Sequence, residues 1–263
     1  MNKPMDKPAN NPMNTPANTP LIHVDDLSFG WDDDLLQVNA CFDVARGAVF
    51  IILGGSGCGK STLMRYLIGL DGGGGKVTIN GVTPDQSIPG RPLFGVMFQS
   101  GALLGSLTVG ENVALPLQQW TDLPADAIGG IVLAKLRLVG LVNAEDRLPN
   151  ELSGGMKKRA AIARAMALEP ELLFLDEPSA GLDPVSAVEL DELIVSLNQQ
   201  LGITFVVVTH DLDSIFKIGS SCIMLDKESR SIIARGDPRA LRDSSKDPRV
   251  HAFFNRLRPQ VAA

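Results

Sequence analysis

ILGGSGCGKST (Ile52–Thr62) joins an apolar run to a helix-forming one through four glycines. The run before it, Ala48–Leu53, is rich in β-branched residues and has no polar member, the pattern of a strand buried on both faces of a parallel sheet. Gly54, Gly55, Gly57 and Gly59 lack a Cβ, so the main chain of Gly54-Gly55-Ser56-Gly57-Cys58-Gly59 can curl until several N–H groups point at one anion. Ser61-Thr62 and the residues to Ile68 read as a helix, whose N-terminus adds about half a positive charge beneath the same anion. Lys60 can reach β and γ phosphates, and Ser61 can ligate magnesium. A glycine-rich surface turn matching G-x-x-x-x-G-K-[ST] by accident is the competing reading, and the strand before it and helix after it weigh against that.

At 263 residues the chain suits one large domain or a core with a subdomain, and it should bury about three-quarters of its unfolded surface. A net charge of −6 and a pI of about 5.1 argue against a nucleic-acid partner, which favours a basic bias. Cys41, Cys58 and Cys222 are far apart and odd in number, so neither a disulfide framework nor a zinc site is indicated, and a reducing cytoplasm fits. No apolar run approaches the roughly 18 residues that span a bilayer, and the N-terminus lacks the apolar segment of a secretion signal. A membrane role would therefore run through a partner.

Residues 1–20 carry proline at every fourth position from Pro4 to Pro20 and read as a disordered leader. Ile22–Val24 and Leu35–Val38 read as strands around the polar turn Asp32–Asp34, with Phe29 expected in the core and Trp31 as a platform for a base. Lys76–Gly81 reads as a strand ending in an Asn-Gly turn, Gly72–Gly75 as a flexible connector, and Leu93–Phe98 as a buried strand. Gln99 follows that strand, at the end where ligands of open α/β sheets gather. From about 100 to 150 the periodicity is helical, at Val109–Leu117 and Ala125–Leu141, with breaks at Pro116 and Pro124. LSGGMKKRAAIARAMALEP (Leu152–Pro170) opens on Ser153, an N-cap, while Gly154 and Gly155 leave the helix start bare, a second anion site.

Glu171–Pro178 is an apolar strand ending in Asp176-Glu177. One such carboxylate can hold magnesium and the other can orient a water and take its proton. Ser179–Asp183 makes a turn, and Pro184 opens a helix to about Leu201. Ile203–Asp211 is a further buried strand, whose His210 should share the edge of Asp176 and Glu177. Cys222–Leu225 and Ser231–Ala234 read as strands. Val250, Phe253, Phe254 and Leu257 form the apolar face of a helix over Pro248–Arg258, docked on the core or on a neighbouring subunit.

In order, GGSGCGKS (54–61), Gln99, LSGGM (152–156), LLFLDEP (172–178), SAGLD (179–183) and the strand ending at His210 resemble the ATP-binding subunits of ABC transporters, over residues 21 to about 240. The resemblance implies an α/β fold: a P-loop, RecA-like core with a mainly parallel sheet, a small N-terminal antiparallel β subdomain and an inserted helical subdomain at about 100–158. Residues 21–245 would form the ATP-binding domain and 246–263 a C-terminal helix and tail. It also implies ATP and Mg2+ as cofactors. Lys60 and Ser61 would form the Walker A site, Asp176 the Walker B carboxylate, Glu177 the general base, Gln99 the Q-loop glutamine beside the metal, Asp183 the D-loop aspartate, His210 the switch histidine and Trp31 the adenine-stacking aromatic. Met156 departs from the glutamine that many relatives have after LSGG.

FQSGALL, TVGENVALPL, LSGGMKKRAAIARA and the ending DPRV-x-x-F look like the Mla and Mkl group, which powers MCE-associated lipid transport across the envelopes of diderm bacteria, mycobacteria and plastids. That likeness implies integral membrane permease subunits and an MCE lipid-binding subunit as partners, and a peripheral place on the cytoplasmic face of the inner membrane. A single phosphate loop holds a triphosphate from one side, so the bare helix start at Ser153 should cap the γ-phosphate of a second copy in an isologous dimer. The alternatives are an ABC importer ATPase for an amino acid or a metal, and a soluble ABC protein of DNA repair or translation. The latter usually carries two cassettes or a long coiled coil. A regulatory module without hydrolysis is disfavoured by the presence of both Glu177 and His210.

Overall fold

The computed structural model describes residues 19–31, 34–84 and 92–257. The expected leader up to residue 18, Asp32 and Asp33 of the polar turn, and the chain from Arg258 onward lie outside the described residues. The strands are β1 (Ile22–Trp31), β2 (Asp34–Val44), β3 (Val49–Gly54), β4 (Gly74–Ile79), β5 (Gly95–Met97), β6 (Leu172–Asp176), β7 (Thr204–Val208), β8 (Ser221–Asp226) and β9 (Ser231–Gly236). The helices are α1 (Lys60–Leu67), α2 (Val109–Trp120), α3 (Ala125–Leu138), α4 (Gly154–Ala165), α5 (Pro184–Leu201), α6 (Leu212–Ile218), α7 (Pro238–Ser244) and α8 (Pro248–Phe254).

A six-stranded sheet in the order β5-β6-β7-β3-β8-β9 is parallel except for the last pair, and a three-stranded antiparallel sheet, β2-β1-β4, packs beside it. Period-two alternation divides the buried residues of the central strands between two faces. Val49, Ile51 and Leu53 of β3, with Leu173, Leu175, Phe205 and Val207, pack under most of the helices. Phe50 and Ile52, with Leu172, Phe174, Val206 and Val208, pack toward α1 and the small sheet. Burial on both sides is why these strands read as unbroken apolar runs.

Three expectations need correction. Pro116 does not end α2, which runs on to Trp120. A mid-helix proline removes one donor to the carbonyl four residues back. Here a Thr108/Glu111 capping box and the buried Val109, Val113 and Leu117 hold the helix regardless. Gly72–Gly75 is more than a connector, since Gly74 and Gly75 begin β4. Gly75 has φ +100°, and a Cβ there would lie 2.3 Å from the Asp26 carbonyl oxygen, so close strand approach requires glycine. The strand expected over 93–98 is only Gly95–Met97, and α4 passes so near its first residue that a Cβ on Gly95 would meet the Ala165 carbonyl.

Candidate functional site

The parallel strands β5, β6, β7 and β3 lie side by side and end level with one another: Asp176 and Ile52 both pair with Val208, and Met97 pairs with Leu175. Whatever follows each strand therefore arrives at one edge. Gly54, Gly55, Ser56, Gly57, Gly59, Lys60, Ser61 and Thr62 line one side of a cleft there, with Gln99, Glu177 and His210 opposite. Asp176 lies in the adjoining hollow, which Gln99 also lines.

The loop is held from beneath. Gly54 has φ +147°, and a Cβ on it would lie 2.4 Å from the Leu225 carbonyl oxygen; Gly59, with φ +97°, caps α1 over the buried ring of Phe29. Gln37 Nε2 donates to the carbonyls of Cys58 (3.0 Å) and Asp226 (2.9 Å), tying the small sheet to the loop. Lys60 Nζ donates to the Gly54 and Gly55 carbonyls at 3.0 Å each, which keeps the ammonium at the loop. The Cys58 thiol is buried beneath Gly54, and burial pushes its pKa up, so of this residue only the N–H can serve an anion.

Asp176 ends β6 and accepts a hydrogen bond of 3.1 Å from Ser61 Oγ. Burial raises its pKa, and the Ser61 bond opposes that shift. Glu177 adopts φ +46°, a left-handed conformation uncommon outside glycine, with its N–H donating to the Val208 carbonyl at 2.8 Å. Its Oε1 lies 2.8 Å from His210 Nδ1, which donates to it; the imidazole is otherwise exposed. The Ser61 hydroxyl and Asp176 carboxylate are hard oxygen donors beside a phosphate-shaped loop. That set suits magnesium, which takes one or two carboxylates, phosphate oxygens and several waters. Among the described residues no group of three or more His, Cys, Asp or Glu could enclose a metal by itself.

Ser153–Gly155, Asp183 and Trp31 do not line this cleft. Ser153 caps α4, its Oγ accepting the Met156 N–H at 3.2 Å, and Gly154 and Gly155 pack against Leu182 and Ser186. Asp183 caps α5, accepting the N–H groups of Val185 (3.1 Å) and Ser186 (3.0 Å). Trp31 ends β1 and is 56% exposed.

Sequence reading missed Gln37, Lys158 and Phe253. Phe253 closes the cleft from α8. Lys158 is buried, and burial pulls its ammonium below the ordinary lysine range against the pull of the Asp176 and Glu177 carboxylates. Helical spacing gave one signal: Lys158 shares a face with Ala161 and Ile162, which belong to the core, and with Ala165, which packs against it.

The family model for ABC transporters matches residues 38–180. The intermembrane phospholipid transport system ATP-binding protein MlaF of Escherichia coli (strain K12) is 39% identical over 246 residues, covering 89% of this chain and 88% of its own. The probable ribonucleotide transport ATP-binding protein mkl of Mycobacterium leprae (strain TN) is 38% identical over 238 residues, covering 87% of this chain and 66% of its own. Among solved structures, the dimeric post-hydrolysis state of the ATP-binding cassette MJ0796 with ADP and Pi superimposes with a TM-score of 0.72 at 28% identity, over 82% of this chain and 98% of that one.

Proposed function

The chain belongs to the ABC transporter family, as an ATPase subunit, and on that premise we propose that it drives movement of phospholipid or a related lipid across a bacterial envelope from a two-site dimer. One observation carries the catalytic half of the reading. The phosphate loop, Gln99, Asp176, Glu177 and His210 converge at the ends of four adjacent strands, whereas the capped helix start at Ser153 lies outside that cleft. The loop N–H groups, the α1 N-terminus and Lys60 bind the triphosphate. Trp31 stacks on the adenine.

Ser61 and Asp176 would hold magnesium, with Gln99 beside them, and the ion would supply charge neutralisation at the phosphate oxygens. Glu177 accepts a proton from the attacking water as that oxygen bonds to the γ-phosphorus and the bond to the bridging oxygen breaks, releasing ADP and phosphate. His210, bonded to Glu177 Oε1, fixes the direction of the carboxylate. Ser153–Gly155 and Asp183 of a second copy complete the site, so ATP favours the closed pair and product release reopens it.

The names of the relatives favour lipid, with MlaF described as a phospholipid transport subunit, although mkl is described for ribonucleotides. The partners are then an integral permease and an MCE-type lipid-binding subunit, with the ATPase peripheral on the cytoplasmic face of the inner membrane. No described helix is long and apolar enough to cross a membrane.

Glu177→Gln should retain ATP affinity and lose on the order of 10²-fold or more in steady-state phosphate release. Undiminished release would reject Glu177 as the base. Co-purification with the neighbouring membrane proteins, followed by mass spectrometry of bound lipid, tests the cargo. A soluble solute-binding protein in place of an MCE subunit would point to a different importer.

A further inference from the structure

The helix that Ser153 caps is tied to the hydrolytic edge by side chains of its own. Lys158, in the second turn of α4, is 7% exposed, and its Nζ donates to the Gln99 carbonyl and, at 3.3 Å, to the Glu177 carbonyl. An ammonium has three donors and no acceptor, so two of its three bonds go to the residues that leave β5 and β6. Six residues on, Arg164 donates to the carbonyls of Ala102 (2.6 Å) and Gly101 (3.0 Å), holding the loop after Gln99 without any bond to Glu177. Among the described residues, Lys158 is the side chain that joins that loop, the helix and the acidic strand end.

Holding a helix in place does not call for a buried charge, since desolvation makes an ion a costly filler compared with an apolar side chain. The carbonyl it grips on Glu177 belongs to a residue at φ +46°, a backbone setting that persists only where neighbours enforce it.

We propose that Lys158 is a positioning residue for hydrolysis, making the backbones of Gln99 and Glu177 follow the helix that carries Ser153–Gly155. The inference rests on the reading of Glu177 as the general base. Movement of the helix is then felt at the base through main-chain position, without any contact of Lys158 with nucleotide. Turnover depends on the link, and nucleotide affinity does not.

The test uses the full-length chain with Lys158→Met, which keeps the stem and removes the donors, and Lys158→Gln, which restores neutral donors. Arg164→Met and Glu177→Gln serve as controls. Lys158→Met should lower kcat on the order of 10- to 10²-fold, the scale of a small misplacement of a catalytic group. KM and affinity for a fluorescent ATP analogue should stay within about threefold. Lys158→Gln should recover part of the lost kcat. Hydrogen exchange should quicken over residues 99–102 and 176–180 in Lys158→Met, and over 99–102 alone in Arg164→Met.

Wild-type kcat in Lys158→Met, beside an inactive Glu177→Gln, would overturn the inference and leave the site reading standing. Turnover retained by Glu177→Gln would instead reject the site reading. If Lys158→Met fails to fold, the folded Lys158→Gln decides: kcat and protection at 176–180 should fall together, each part-way, and lowered kcat with wild-type protection there, or lost protection with wild-type kcat, would overturn the inference. Unchanged exchange at 176–180 in a folded Lys158→Met overturns it whether or not the isolated chain turns over.

Discussion

Asp191 is a buried carboxylate that the proposed chemistry does not use. It lies on α5 at 4% exposure and accepts a hydrogen bond of 2.9 Å from Ser214 Oγ on α6; the same hydroxyl lies 3.3 Å from the carboxylate of Asp211, the neighbour of His210. Burial raises the Asp191 pKa to about 6, with the Ser214 bond and Lys217 lowering it and Asp211 and Glu192 raising it. A carboxyl whose folded pKa lies above its unfolded one favours the fold while protonated, and that contribution disappears as pH climbs through about 6. The shift corresponds to about 3 kcal/mol. Asp191→Asn, neutral at every pH, should therefore melt several degrees above wild type at pH 8, with the gap narrowing toward pH 5, by differential scanning fluorimetry. A pH-independent gap would mean that the Asp191 carboxyl titrates alike in the folded and unfolded chain, so that burial does not raise its pKa. Neither this group nor Gln37 was legible in the sequence. Gln37 is fully buried with Oε1 unpartnered, and what it grips, Cys58 and Asp226, is brought to it only by tertiary packing. Phe29 is buried as expected, whereas Trp31, two residues on and on the same face by strand alternation, is 56% exposed beyond the register shift between Phe29 and Gly30.

At the scale of elements, legibility followed burial. β3, β6 and β7 are covered on both faces and announce themselves as apolar runs. α5 begins and ends at Pro184 and Leu201 as expected, because its stops are local: Asp183 caps the start and Gly202, at φ +67°, ends it. Where tertiary contact overrides a local signal, as at Pro116 and Gly75, sequence reading failed, and α7 gave no signal that was read. α8 was legible from its apolar spacing, but it stops at Phe254 rather than running to 258 and leaves Leu257 55% exposed, and it is too short to hold by itself. It is docked by buried Val250 and Phe254, with the Phe254 ring 5.7 Å from that of Phe216, and by the Arg249–Asp226 ion pair at 2.9 Å. Phe254→Ala should cost about 3 kcal/mol in denaturant unfolding or, where α8 lifts off alone, open the chain to trypsin at Arg249 and Arg256. Unchanged stability together with unchanged proteolysis would show that the docking contributes nothing.

For the whole molecule, the decisive relation is between two anion-shaped elements that do not meet within one chain. Ser153 and its two glycines line none of the phosphate-loop cleft, and their near neighbours are Leu182, just before Asp183, and Ser186 in the first turn of α5. Each chain thus offers one complete loop and one helix start, the composition a two-fold pair would need to enclose two nucleotides. Binding that favours the closed pair should pull chains together in proportion to its preference for that state, and blocking hydrolysis should hold them there. Cysteines introduced by Gly55→Cys and Ser153→Cys in a Glu177→Gln chain, with partly exposed Cys41 replaced by serine and the buried Cys58 and Cys222 left in place, report on this directly. With ATP and a short bifunctional maleimide, the expected product runs as a covalent pair of twice 28.0 kDa, and it should be lost on adding Lys60→Ala. A cross-link formed only within single chains, or equally well without ATP, would mean that the two elements do not close on a shared triphosphate across an interface.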